Sequence, residues 1–356
     1  MNRMPLSIIL AVVVCATLRQ ASAFTSMQVF GDGVSTTTSN ATTQTELFYG
    51  KRFCNGRVWV EVLAERQGLS ILTNQNLSYF GHESAFMVTN VLNFPAPADA
   101  STSLFILWVC NADFVDIINL KHPNPFYPTN MATWTNGINQ AISNHFNAVQ
   151  LLYNKGVRNL MMPNGVDVAK IPYYYFMPPT NKTFVRQRVI EFNLAFSNLL
   201  QQVRSTFTNL SVTSPDFFRL MDQMMAQPAG FGMTNTTESA VYDYSYTNFT
   251  GPGTNFLFWD QYHPTAKAQE ILADTAQQML SPAKITGISS LNGTNQLSVV
   301  NLPIGLNGFV DGTTNLLSWS AGQGFSSTNA TQVIAVPVNG PRWFYRLRFP
   351  FAWSWP

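Results

Sequence analysis

A chain of 356 residues with 46% hydrophobic and 11% charged side chains buries a substantial core and has room for one large unit and a smaller one. Its formal net charge of +2, with no run rich in Lys and Arg, excludes a nucleic-acid partner or an electrostatically held membrane surface as its organising feature. Four histidines and three cysteines without paired ligand spacing give no metal site, and nothing in the chain calls for a cofactor.

The first 23 residues read as an export signal. Arg3 precedes an apolar run from Pro5 to Leu18, and Ala21-Ser22-Ala23 supplies a small-x-small cleavage pattern. That run is too short to span a bilayer. The expectation is a soluble, secreted or periplasmic chain beginning near Phe24. Cys54 and Cys110 then remain, either as a disulfide pair in an oxidising compartment or as two buried small apolar side chains.

Met27–Gly31 reads as a short buried strand ending in a tight turn at Gly31-Asp32-Gly33, and a polar Ser/Thr/Asn loop follows. The spacing over Gly56–Gly68 predicts an amphipathic helix with Val58, Val60 and Leu63 on its apolar side. Leu104–Cys110 is a continuous apolar run suited to a strand covered on both faces. A long helix over Asn136–Lys155 is stopped by Gly156, and a strand over Arg158–Met162 is stopped by Pro163. Helical spacing returns over Thr183–Phe207, then a short strand at Leu210–Thr213 and a last helix over Thr265–Met279. Strands alternating with helices of this length predict a parallel sheet covered on both sides, with its cleft outside the carboxyl ends of the strands.

The turns at 31–33, 110–113 and 163–167 and the loop 259–263 are therefore expected on one face. In that loop Asp260 and His263 stand three residues apart, close enough for the carboxylate to orient the imidazole. The plainer reading is an Asp-capped turn ahead of a helix. From Ser281 the pattern changes to short apolar stretches, at 296–300, 316–319 and 332–338, separated by Gly, Asn, Pro and Thr. This predicts a small all-β unit. The expected division is 1–23, 24–282 and 283–356.

Val29-Phe30-Gly31-Asp32, the helix from Asn55 to Ala64, Leu107–Phe114, Pro228–Thr234 and Phe258–Thr265 fall in an order and spacing that resemble the GDSL, or SGNH, esterase/lipase family over about residues 27 to 280. The resemblance implies a flavodoxin-like three-layer α/β/α sandwich with a parallel five-stranded sheet. It also implies hydrolysis of carboxylic esters through a Ser-His-Asp triad with an oxyanion hole of backbone groups and an Asn. His263 matches the general base, Asp260 its orienting carboxylate and Asp32 the first-block aspartate. The nucleophile's position is Gly33, which has no oxygen to attack with.

The oxyanion blocks are altered as well. Ala112 stands where the family has Asn, with Asn111 one residue early, and Phe80 precedes Gly81, a possible backbone donor. Losing the nucleophile from such a triad costs about a million-fold in turnover. Ser35 two residues on, or less readily Thr36, is the candidate substitute, against a plain turn or cap role. A water activated by Asp260-His263 beside Gly33 is a second route, and Cys110 a remote third. His82, with Glu83, lines the cleft or lies on a surface loop. His122 and His145 read as surface or helix residues, and Tyr173–Phe176 lines a subsite or packs on the core. The implied ligand is a small-molecule ester or acylated carbohydrate, either hydrolysed weakly or by another route, or bound without turnover.

Overall fold

The computed structural model describes residues 24–38, 47–242, 255–303, 306–338 and 343–349; the segment 1–23, where the export signal is expected, lies outside them. Four parallel strands, β1 (Met27–Gly31), β2 (Leu104–Trp108), β3 (Asn159–Met161) and β4 (Ser211–Thr213), form the central sheet in that order. Every residue of β1 and β2 is buried, which is why both read as unbroken apolar runs rather than alternating ones. On the free side of β1 lies one more lane. Asn76 forms an isolated parallel bridge with Val29, while Leu77 and Tyr79 donate backbone N–H groups to Val29 and Gly31 at 2.8 and 3.3 Å. The five-stranded expectation is thus met by four strands and one bridged segment. That segment is too brief and too polar to announce itself as a strand.

Helices cover the sheet on both sides, giving the three-layer α/β arrangement. One group is α1 (Trp59–Arg66) packed on α7 (Ala266–Leu280); the other is α2 (Ser84–Asn93), α3 (Cys110–Asn119), α4 (Met131–Asn154) and α5 (Pro179–Thr206). A sixth helix, α6 (Phe217–Ala226), follows β4 and sets Phe217 against Trp59 and Trp108, with ring centroids 5.5 and 4.9 Å apart. Three boundaries differ from expectation. Strand β2 stops at Trp108 and Cys110 already begins α3. Helix α4 starts five residues early, where the Asn130 side chain accepts from Thr133 N. Helix α5 starts four residues early, at Pro179, and Thr265 caps α7 after the Asp260-capped turn, accepting from Ala268 N while its hydroxyl donates to Phe256 O. Between β4 and α7, β5 (Asn235–Ser239) and β6 (Phe256–Phe258) form a separate two-stranded ribbon.

After α7 comes a six-stranded all-β region, built from β7 (Lys284–Leu291), β8 (Thr294–Val300), β9 (Asn307–Thr313), β10 (Ser320–Ser326), β11 (Gln332–Pro337) and β12 (Phe344–Arg348). Its two three-stranded sheets, β10-β9-β12 and β11-β8-β7, enclose a small core of Leu297, Val299, Leu302, Val310, Ile334 and Val336. Asn292-Gly293, both at positive φ, close the β7–β8 hairpin as an Asn-Gly pair is suited to do. The apolar stretch 316–319 is not a strand: it forms the β9–β10 connection, with Leu317 89% exposed.

The turn after β1 depends on one close approach. A Cβ at Gly31 would lie 2.7 Å from Ser35 Cβ and 2.8 Å from Ser78 Oγ, and Gly31 O is bonded by His82 Nδ1 at 2.8 Å. Gly31→Ala is therefore expected to destabilise the chain by about 1–3 kcal/mol, the usual cost of overpacking a core. Denaturant titration measures this, and an unchanged midpoint would refute the close-packing account.

Candidate active site

Loop 259–263 is held by its own carboxylate. Asp260 Oδ1 accepts from Tyr262 N at 2.8 Å and His263 N at 2.7 Å, and both carboxylate oxygens lie 2.9 Å from His263 Nδ1. Trp259 N donates to His263 O, closing the loop, and Tyr173 N donates to Gln261 O from the opposite side. The imidazole is stacked on Phe53, with centroids 4.5 Å apart and planes 16° from parallel, and Phe80 flanks it at 5.8 Å. Both Asp260 and His263 are buried. The carboxylate fixes Nδ1 as the donor, so the unprotonated ring nitrogen of that tautomer is Nε2.

Nε2 faces Gly33. A Cβ built on Gly33 would collide with it, and would also come within 3.2 Å of Phe80 Cδ2. The imidazole thus occupies the side-chain direction of Gly33, while both residues border the cavity. Ser35 does not come to the cleft. Its hydroxyl is fully buried beneath the turn and accepts from Trp59 Nε1 at 2.9 Å, and it is absent from the cavity wall. The reading of Ser35 as a substitute nucleophile is corrected on that ground. Thr36 is likewise buried and donates to Ser78 O at 2.8 Å.

Gly33, His263, Asp32, Phe80, Gly81, Asn111, Ala112 and Tyr262 converge on a cavity of about 350 Å3. Its apolar lining includes the buried Trp108, Phe217, Met221, Met224, Leu257, Ala268 and Leu272. Asp32 Oδ1 accepts from Val34 N at 3.0 Å. Burial raises its pKa from 3.8 to about 6, against the opposing pull of the Val34 N–H, His263 and Asn111. Asn111 Oδ1 accepts from Val166 N at 3.0 Å, but its buried Nδ2 has no hydrogen-bond partner among the described residues. Gly81, at φ +73°, carries backbone to the same wall. Two candidate donors therefore border the cavity that His263 overlooks.

Of the two readings of the cysteines, the structure shows the second, two buried thiols, and not the disulfide. Cys54 and Cys110 are both free and buried. Cys54 Sγ is turned to Asn55 Oδ1 at 3.6 Å, and a Cβ at Gly165 would lie 3.4 Å from Cys110 Sγ, so each thiol fills its own packing site. Burial pushes the Cys54 thiol up to about 12 and the Cys110 thiol well above its usual range, which leaves neither as a nucleophile. His82 is neither surface nor cleft: it is fully buried, bonded to Gly31 O and Asn90 Nδ2 and stacked on Tyr79. His145 lies buried in α4, its Nδ1 2.7 Å from Ala141 O, and His122 is also buried. In the tyrosine run, Tyr173 stacks on Tyr262, Tyr174 is buried with its hydroxyl on Asn119, and Phe176 stands 85% exposed.

Sequence reasoning missed Phe53 and the deep wall. Phe217, Leu220, Met221 and Met224 do carry helical spacing, a signal for α6 that was there to be read. Phe53 carried none, since a lone aromatic in a loop of turns has no periodicity.

A family model for GDSL-like lipases and acylhydrolases matches residues 28–276. The thermolabile hemolysin of Vibrio parahaemolyticus is 20% identical over 235 residues, which are 62% of this chain and 54% of that protein. A GDSL esterase/lipase of Arabidopsis thaliana is 20% identical over 154 residues, 43% of this chain and 42% of its own. The chain spans about half the length of the curated relatives it matches. Among solved structures, a catalytic mutant of an acetylxylan esterase from Geobacillus stearothermophilus aligns over 73% of this chain and 96% of its own at 10% identity, with a TM-score of 0.43. Phospholipase A1 from Streptomyces albidoflavus NA297 aligns over 69% and 95% at 12% identity, with the same TM-score.

Two outcomes are expected from this geometry. Asp113, turned away from the cleft onto Ser84 N and Oγ, has its pKa raised by burial from 3.8 to about 7. The folded chain then holds that proton longer than the unfolded chain does, so stability falls as pH rises from about 4 through about 7. Asp113→Asn should raise Tm at pH 8 by at least about 2 °C, with the gain vanishing near pH 4; a gain independent of pH contradicts the account. Separately, both thiols should react with a thiol reagent in denaturant without prior reduction. A pair reactive only after reduction would restore the disulfide.

Proposed function

The chain belongs to the GDSL-like lipase/acylhydrolase family, and from that premise we propose that it is an exported member that takes the acyl chain of a carboxylic ester into the cavity beneath His263, without serine-based acyl transfer. One observation carries this reading: Gly33 meets Nε2 of an intact Asp260-His263 pair at the head of an apolar cavity of about 350 Å3. That volume is within the range of about 300–1,000 Å3 usual for small-molecule sites. Its inner wall is Trp108, Phe217, Met221, Met224, Leu257 and Leu272, side chains that favour methylenes over sugar hydroxyls. An acyl chain therefore suits it better than an acetylated carbohydrate, whose polar part would stay at the mouth.

Asp260 would orient the imidazole, and Asn111 Nδ2 with the Gly81 backbone would face the carbonyl oxygen. The lack of a hydroxyl at 33, and the burial of Ser35 against Trp59, argue against a serine acyl-enzyme. The same two facts favour a second reading, a binder without turnover, in which the cavity retains its ligand and the pair is idle. Export rests on the segment from Arg3 to Ala23. Among the described residues no helix is long and apolar enough to cross a membrane.

Fatty acids of increasing length should displace a fluorescent acyl probe, each added CH2 tightening Kd about fourfold until the cavity is full. Met221→Trp should move that limit to shorter chains. Affinity that ignores chain length would overturn the assignment.

A further inference from the structure

We infer that His263 is itself the acyl acceptor, and that the substrates are activated acyl donors, thioesters and aryl esters, in place of esters of alkyl alcohols. The inference rests on the acyl-binding reading above. It starts from what stands at the family's nucleophile seat: the side-chain direction of Gly33 is filled by the imidazole, with Nε2 foremost. Asp260 grips Nδ1 with both carboxylate oxygens at 2.9 Å, and Phe53 and Phe80 confine the ring plane. Nε2 has no hydrogen-bonding partner among the described residues, and His263 forms part of the cavity wall. Asn111 and Gly81 border the same wall, the Asn111 amide lying between the Val166 N–H and the Asp32 carboxylate. The Gly81 backbone, carried to the mouth at φ +73°, is the candidate donor to an oxyanion formed there.

The chemistry then sets the substrate class. The Nε2 lone pair adds to the acyl carbonyl carbon, and the carbonyl oxygen becomes the oxyanion. As the tetrahedral adduct collapses, either the imidazole is expelled again or the bond to the leaving group breaks. Imidazolium has a pKa near 6.5, a thiol about 8.5 and a phenol about 10. Thiolates and phenolates therefore compete for departure. An alcohol near water's 15.7 does not, and its adduct reverts to the ester. A serine alkoxide escapes this limit because it is as basic as the alcohol it displaces. Departure leaves an N-acyl imidazolium whose Nδ1–H rests on Asp260. Water then adds to the acyl carbon, the C–N bond breaks, and the carboxylic acid leaves. The proton that water gives up neutralises the departed thiolate or phenolate, so acyl donor plus water yields acid plus thiol or phenol.

The test uses the full chain with p-nitrophenyl octanoate, an octanoyl thioester and ethyl octanoate, alongside the fatty-acid displacement assay. The first two should turn over at least about 100-fold faster than with His263→Gln, a modest demand beside effective molarities of 10⁵ and above. Ethyl octanoate should stay at the variant's rate. Acid-quenched samples should gain one octanoyl mass on the peptide carrying His263, and hydroxylamine should divert that acyl group to hydroxamate. Gly33→Ala, whose Cβ presses on Nε2, should lower acylation of His263. An adduct on Ser35, Thr36 or Cys110, turnover without any adduct, or ethyl octanoate consumed at a like rate would each overturn the inference. Fatty-acid binding with no turnover would overturn it while leaving the acyl-binding reading intact. Loss of both would overturn both.

Discussion

The position of the His263 ring is the constraint on which the rest of the site depends. Asp260 spends its carboxylate on two backbone amides and on Nδ1, so the hydrogen bonds that fold the loop also aim the ring. Phe53 stacks beneath it, and the Trp259 N to His263 O bond prevents the loop from opening. A ring fixed this way and a side chain at 33 exclude each other, because Nε2 already stands where a Cβ would go. Glycine at 33 is thus the other half of the ring's placement. A serine there requires the whole loop, with its shared hydrogen bonds, to stand farther back.

Around that contact the chain distributes its buried polar groups unevenly. Most have partners that make them structural. Ser35 is held by Trp59, Asn164 by Asp216 and the Phe218 amide, and Asn193 exchanges two bonds with the Gly165 backbone. Asn111 borders the cavity, with one end of its amide supporting the Val166 N–H and the other lowering the Asp32 pKa against burial.

Much of the frame was legible in the residues. Fully buried runs such as Leu104–Trp108 mark parallel strands, and Gly156 and Pro163 mark ends because one favours the left-handed turn and the other removes a donor. The loop 259–263 was legible as an acid-base arm because its geometry is local, within three residues. What was not legible was long in sequence and short in space. The partner of Ser35 is 24 residues away, so its hydroxyl could be read either as a turn or cap group or as a substitute nucleophile, and not as the acceptor for Trp59. The two cysteines could be read either as a pair or as separate buried thiols, because only their number, and neither packing site, is visible in the chain. Helices α2, α3 and α6 were passed over in favour of the strands and loops around them. The bridged lane at Asn76 was also missed, for one bridge leaves no alternation to detect.

The cavity and the ring divide recognition between the two halves of an ester. Methylenes buried against Phe217, Met221 and Leu272 contribute affinity in proportion to length but say nothing about the group on the far side of the carbonyl. That group meets the mouth, where Phe80 is half exposed and Leu120 is 78% exposed, and where the reacting atom is the ring itself or nothing. Selection there is by departure rather than by fit. In a serine enzyme the nucleophile is as basic as the alcohol it displaces, and the pocket must do the sorting. If the proposed acyl transfer to His263 holds, leaving-group basicity sorts the substrates before shape does. A single missing hydroxyl, in a frame that keeps its base, its orienting carboxylate and its cavity, changes which bond can be broken more than which chain can be bound.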